Sequence, residues 1–129
     1  MNRFIERKND YQNALLRLEE ALEAEQNEVV IDGVLHRFEF TFELAWKTIK
    51  DYLEYMGISE GTGSPRENIK LAYKYEIISD GELWIEIMLS RNSLTHLYDQ
   101  RESRKIYDKI KTEYIKAFRE LKEKFETIL

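Results

Sequence analysis

The chain has 129 residues, 35% of them Asp, Glu, Lys or Arg, with a formal net charge of −5 and no cysteine. That length fits a single domain, residues 1–129, whose core needs neither metal nor disulfide. The missing thiols exclude disulfide frameworks, thiolate metal sites and cysteine nucleophiles, and the acidic balance argues against a broad basic face for duplex DNA. A small basic pocket that reads a few nucleotides is compatible with the same totals.

A single proline and five glycines point to helices rather than sheets. The opening residues, Met1 to Lys8, are charged, which argues against a signal peptide, and no apolar run approaches the ~20 residues of a membrane span. The expectation is a soluble, cytoplasmic chain without membrane association.

From Asn2 to Gln26, Phe4, Tyr11, Leu15, Leu18 and Leu22 recur at helical spacing, with Ala14 and Ala21 on the same face. A second helix is expected from Glu28 to Met56, capped by Asn27, with Val30, Val34, Phe38, Phe42, Ala45, Ile49, Leu53 and Met56 as its stripe. Its middle, Arg37 to Lys47, is apolar on more than one face, the pattern of a helix buried on two sides or at a dimer interface. Gly57 reads as a C-cap and Ile58 to Gly63 as a flexible connection. Ser64-Pro65-Arg66-Glu67 restarts a short helix to Tyr75, with Ile69, Ala72 and Tyr73 inward. Ser79-Asp80-Gly81-Glu82 repeats the capping-box spacing and opens a helix with Leu83, Trp84, Ile87, Met88 and Arg91 near one face. Asp99-Gln100-Arg101-Glu102 repeats it again, before a regular stripe of Ile106, Ile110, Tyr114, Ala117, Phe118, Leu121, Phe125 and Ile128. The fold expected is all-α: an antiparallel up-and-down four-helix bundle with an extra short helix.

Most polar features have a structural explanation. Gly61-Thr62-Gly63-Ser64 lacks the lysine and preceding strand of a phosphate-binding P-loop and reads as a linker ending in a cap. His36 has no second metal ligand at helical spacing, and Glu39, Glu43 and Lys47 form a salt-bridge ladder. No metal or cofactor site is expected. Ser90 to Asp99 is less easily absorbed. Arg91 follows the apolar face of its helix, and in an unbroken helix His96, five residues on, points about 140° away. Asn92, Ser93 and Thr95 are weak helix formers, so a bend or fray is expected here, which can return the imidazole toward the guanidinium. A histidine that moves protons and an arginine that clamps phosphate are a minimal kit for a phosphodiester, while the same residues also serve simply to end a helix.

Arg91-Asn92-Ser93-Leu94-Thr95-His96 resembles the Arg-x4-His motif of HEPN domains, and with Tyr98 the Arg-x4-His-x-Tyr motif of HepT-like toxins. Four blocks in order resemble the nucleotidyltransferase substrate-binding protein family: Arg37 to Lys47, Ser64-Pro65-Arg66, Asp80 to Trp84, and His96 to Asp99. The resemblance implies a homodimer that forms a hetero-oligomer with a minimal nucleotidyltransferase subunit. It implies a metal-independent endoribonuclease in which Arg91 holds the scissile phosphate, His96 is the general acid/base and Asn92 a polar support. Tyr98 takes the position that receives AMP from the transferase and silences the nuclease. The alternative implied by the same family is a non-enzymatic subunit that binds RNA or nucleotide and presents substrate, with Glu43, Trp46, Lys47 and Arg101 as candidate binding residues.

Overall fold

The computed structural model describes residues 2–96 and 99–128, apart from the side chains of Asn2 and His96. Its order is α1 (Asn2–Glu23), α2 (Glu28–Tyr55), α3 (Pro65–Lys74), α4 (Gly81–Ser93) extended by a 3₁₀ turn (Leu94–His96), α5 (Gln100–Lys109), a π turn (Ile110–Tyr114) and α6 (Ile115–Ile128). The protein is an all-α, up-and-down bundle of α1, α2, α4 and the long α5–α6 rod, with α3 as the added short helix. Among the described residues no helix is long and apolar enough to cross a membrane.

Two threonines line the antiparallel seam of α1 and α2, each hydroxyl donating first to the carbonyl four residues back in α2, Thr41 to Arg37 at 2.7 Å and Thr48 to Leu44 at 2.6 Å. Thr48 Oγ1 lies 3.3 Å from the carbonyl of Arg7, and Thr41 Oγ1 lies 3.3 Å from that of Ala14. A seven-residue step on each helix keeps their seam in register, and small Thr and Ala side chains let the backbones approach. Arg37 Nη1 continues the series by donating to the carbonyl of Arg17 at 2.7 Å. The last rod closes on α1 through Tyr11, whose hydroxyl donates to the carbonyl of Phe118 at 2.6 Å. Burial pushes the Tyr11 phenol well above its ordinary pKa, so it stays a donor. At the centre, Phe38 stacks on Tyr114 at 5.8 Å while Trp84 meets Phe118 edge-on at 5.5 Å, joining α2, α4 and the rod.

Helix ends follow local chemistry, with some shifts from expectation. Asn27 and Ser64 cap α2 and α3 through Val30 N and Glu67 N. α4 is capped one residue later than the Ser79 spacing suggests: Asp80 Oδ1 accepts from Leu83 N at 3.0 Å. Asp99 accepts from Arg101 N, and Glu102 turns instead to Lys105, so the third capping box does not form. α1 stops at Glu23, short of Gln26. Met56 lies past the end of α2 and is exposed. Tyr73 faces outward, where its ring lies against Gly81; a Cβ there would sit 3.3 Å from Tyr73 Cγ. The inward place on α3 goes to Asn68, whose Nδ2 donates to the carbonyls of Thr62 and Ser64 and pins the glycine-containing connection to the bundle.

α2 and α3 both end in Schellman motifs. After α2, Gly57 takes the left-handed position (φ 86°), with Ile58 N bonded to Leu53 O at 2.8 Å. After α3 the same position falls to Glu76 (φ 60°), with Ile77 N bonded to Ala72 O at 2.8 Å. A non-glycine residue there carries a steric cost of about 1–2 kcal/mol, partly offset by the greater unfolded-state entropy of glycine. Glu76→Gly is therefore expected to stabilise the fold by about 1 kcal/mol, read as a melting temperature raised by roughly 3–5 °C. An unchanged or lower melting temperature would show that the Glu76 side chain compensates for its backbone.

Candidate functional site

The α4 ladder tightens at the weak helix formers singled out in the sequence. Ser93 Oγ donates to the carbonyl of Ser90 at 2.8 Å, and Thr95 Oγ1 to that of Asn92 at 3.0 Å. Each hydroxyl takes a carbonyl three residues back, and the helix passes into a 3₁₀ turn rather than breaking. The expected bend is thus a tightening. His96 closes that turn, and its side chain lies outside the described residues, as do Leu97 and Tyr98.

Arg91 leaves the last turns of α4 toward α2, where its half-buried guanidinium meets Glu43. Arg91 Nη2 lies 2.8 Å from Glu43 Oε2. Trp46 Nε1 donates to the same oxygen at 3.2 Å, and Lys47 Nζ pairs with Glu43 Oε1 at 3.2 Å. One carboxylate thereby gathers two cations and an indole N–H. Burial alone would raise the Glu43 pKa, but the hydrogen bonds from Trp46 and Lys47 and the charges of Arg91 and Lys47 outweigh it and hold the carboxyl below its ordinary value. Glu43 is ionised at neutral pH. The Arg91 guanidinium is incompletely used: Nη1 reaches Asn92 Oδ1 only at 3.5 Å, and the buried Nε meets no acceptor among the described residues. Asn92 itself is exposed.

The structure therefore brings Arg91, Asn92, Glu43, Trp46 and Lys47 together. Arg101 is elsewhere, in the first turn of α5, with its side chain 90% exposed and 3.9 Å from Asp99. It lines a recess with Arg104, Glu28 and Asp32, and Asp32 precedes Glu43 by roughly 16 Å of helix. The Glu39–Glu43–Lys47 ladder reduces to the Glu43–Lys47 pair among the described contacts.

A second polar network behind Arg91 is not apparent from the sequence. Ser90 and Tyr114 share a hydrogen bond at 2.7 Å, and Tyr114 donates to Glu86 Oε2 at 2.8 Å. Lys109 Nζ approaches Glu86 at 3.6 Å and Glu113 at 2.8 Å. Burial first, then the Glu86 carboxylate, outweigh the Ser90 hydrogen bond and push the Tyr114 phenol up to about 12, so it remains a proton donor. This network ties the residue before Arg91 to the π turn. Its members read individually as stripe or surface positions, and only Ser90 falls within the segment singled out.

A recess of about 880 Å³ opens between the α3–α4 connection and α6, over Ile77, Trp84 and Leu121. Arg91 does not line it. Among the described residues no three His, Asp or Glu side chains converge as metal ligands.

Residues 6–127 match the family described as nucleotidyltransferase substrate binding protein like. A curated relative, the probable ribonuclease HepT of Haemophilus influenzae, is 28% identical over 86 residues, which cover 64% of this chain and 59% of that protein. A Thermus thermophilus protein of known crystal structure superposes with a TM-score of 0.78 at 27% identity, over 86% of this chain and 94% of its own. A Haemophilus influenzae protein described as having the fold of a substrate binding domain of a nucleotidyltransferase gives 0.81 at 22% identity, over 92% and 98% of the two chains. That last likeness is one of fold. With the family match running through nearly all of its length, the chain belongs to the nucleotidyltransferase substrate binding protein-like family.

Proposed function

We propose that this protein is the partner subunit of a minimal nucleotidyltransferase in a two-component, toxin–antitoxin type system, acting as a homodimeric, metal-independent ribonuclease of the cytoplasm. The observation that carries the reading is the Arg91 guanidinium, held half-buried against α2 by Glu43, five residues before His96. The probable ribonuclease activity of the Haemophilus influenzae relative supports it.

In the proposed reaction, His96 takes the proton of an RNA 2′-hydroxyl. The 2′-oxygen attacks the adjacent phosphorus, the bond to the 5′-oxygen breaks, and that oxygen takes a proton from the second protomer's histidine. Arg91 holds the phosphate as charge grows on its oxygens, with Asn92 beside it. Modification works by transfer of AMP from ATP to the Tyr98 hydroxyl with release of pyrophosphate. The new phosphate sets bulk and negative charge two residues from His96, where RNA phosphate has to sit.

The test is expression of the protein alone, beside His96→Ala. Wild type is expected to slow growth and degrade RNA, and the variant to do neither. Equal growth with intact RNA in both would remove the nuclease. The second reading, a non-enzymatic subunit that presents RNA or nucleotide to the transferase, is favoured by the occupied state of Arg91 and by the cluster of Glu43, Trp46 and Lys47. It predicts a stable complex with the transferase whatever residue stands at 96.

A further inference from the structure

The contact between Glu43 and Arg91 has a shape that simple support does not require. Nε and Nη2 form one edge of a guanidinium, the edge that grips a carboxylate or phosphate through two parallel hydrogen bonds. Glu43 fills only the Nη2 half of that edge in Arg91. Its second oxygen is drawn away to Lys47, and its first is shared with the Trp46 indole. An oxyanion is therefore already seated between Arg91 and Lys47, and it belongs to the chain itself. Carboxylate and phosphodiester groups each present two charge-bearing oxygens and one negative charge, and make the same charge-assisted bonds to these donors, so one can take the other's place.

We propose that Glu43 is an internal stand-in for substrate phosphate: Arg91 and Lys47 form a two-cation oxyanion seat, and a nucleic-acid phosphate enters it by displacing the Glu43 carboxylate. This deepens the ribonuclease reading and rests on it for the identity of the ligand. Lys47, one turn of α2 from Glu43 and partly exposed, becomes the second phosphate-binding cation. The seat stays closed to weak anions, because a ligand has to outbid a carboxylate whose ionised form its neighbours favour. The Trp46 indole keeps a hydrogen bond for the displaced carboxylate, which lowers the cost of opening.

The test uses the full chain and a short single-stranded 2′-deoxyoligonucleotide, which has no 2′-hydroxyl and cannot be cleaved by the proposed route. Glu43→Gln keeps the shape and the acceptor for Trp46 but removes the competing charge. It is expected to bind the probe about tenfold more tightly. The slope of log affinity against log salt should also steepen by about 0.7, the signature of one more net positive charge meeting phosphate once the competing carboxylate charge is gone. Adding Lys47→Met to Glu43→Gln should return both quantities toward wild type. Glu43→Ala supplies the same reading should glutamine re-form the latch. Unchanged or weaker binding by both Glu43 variants, with wild-type melting, would overturn the proposal and make Glu43 a support for Arg91. So would a Lys47→Met change without effect in the Glu43→Gln background. Binding that behaves as stated, in a protein that leaves ribo-oligonucleotides intact, keeps the seat and removes only the nuclease.

Discussion

Arg91→Ala is expected to lower RNA cleavage by about 10²–10³-fold, the usual consequence of removing one donor aimed at developing oxyanion charge. Little of that loss comes from the fold. The Arg91–Glu43 pair is about a third exposed on both sides, and pairs of that kind contribute at most ~1 kcal/mol. Glu43 also keeps Lys47 and Trp46 as partners, so no uncompensated buried charge remains. The melting temperature should therefore fall by no more than about 3–5 °C, and the complex with the nucleotidyltransferase should persist. Arg91→Lys distinguishes charge from geometry. An ammonium restores the positive charge but not the flat two-donor edge, so it should recover less than roughly a tenth of the lost rate. Full recovery with lysine would mean that Arg91 supplies charge alone. Cleavage by Arg91→Ala at the wild-type rate would leave His96 without its proposed partner and the ribonuclease reading without its carrying observation.

The parts of this structure legible in the sequence are those decided within a few residues. Asn27 and Ser64 cap because their side-chain oxygens reach the third residue on, and Gly57 ends α2 because glycine accepts a positive φ. The stripe from Val34 to Leu53 is long enough for its period to outvote single exceptions. α3 is too short for that, and its pattern points Tyr73 inward where packing on Gly81 turns the ring outward. The site divides along the same line. Arg91 and its spacing to His96 can be read directly, but the Glu43–Arg91 pair joins residues 48 apart. No local rule selects Glu43 over Glu39 as the carboxylate that turns toward α4. The fold makes that choice, by crossing the end of α4 over the middle of α2.

Inserting one residue after Thr112, an exposed residue of the π turn, is expected to cost most or all of the stability of the fold. Ile106, Ile110, Tyr114 and Phe118 are all buried, three consecutive steps of four residues. On an α-helix each such step overshoots a turn by about 40°, so the face would drift by roughly 120° across the three. The extra residue in the π turn absorbs most of that drift, leaving Ile106 and Ile110 pointed at the same core as Phe118, Leu121 and Phe125. The turn has thereby taken up one extra residue; a second one rotates α6 against α5 by about 100° and sends one of the two sets toward water, whereas deleting Thr112 would only restore an α-helix with both faces aligned. Exposing two or three side chains of this size costs about 1.5–3 kcal/mol each, comparable to the whole stability of a small domain at roughly 5–15 kcal/mol. The expected result is loss of a cooperative melt, whereas Thr112→Ala, which keeps the count of residues, should stay within about 0.5 kcal/mol of wild type. An insertion variant that melts near wild type would show that the rod can shift its register without loss. It would then matter whether the variant still cleaves RNA, because the same turn places the Tyr114 hydroxyl on Ser90, and Ser90 is the residue from which the chain steps to Arg91.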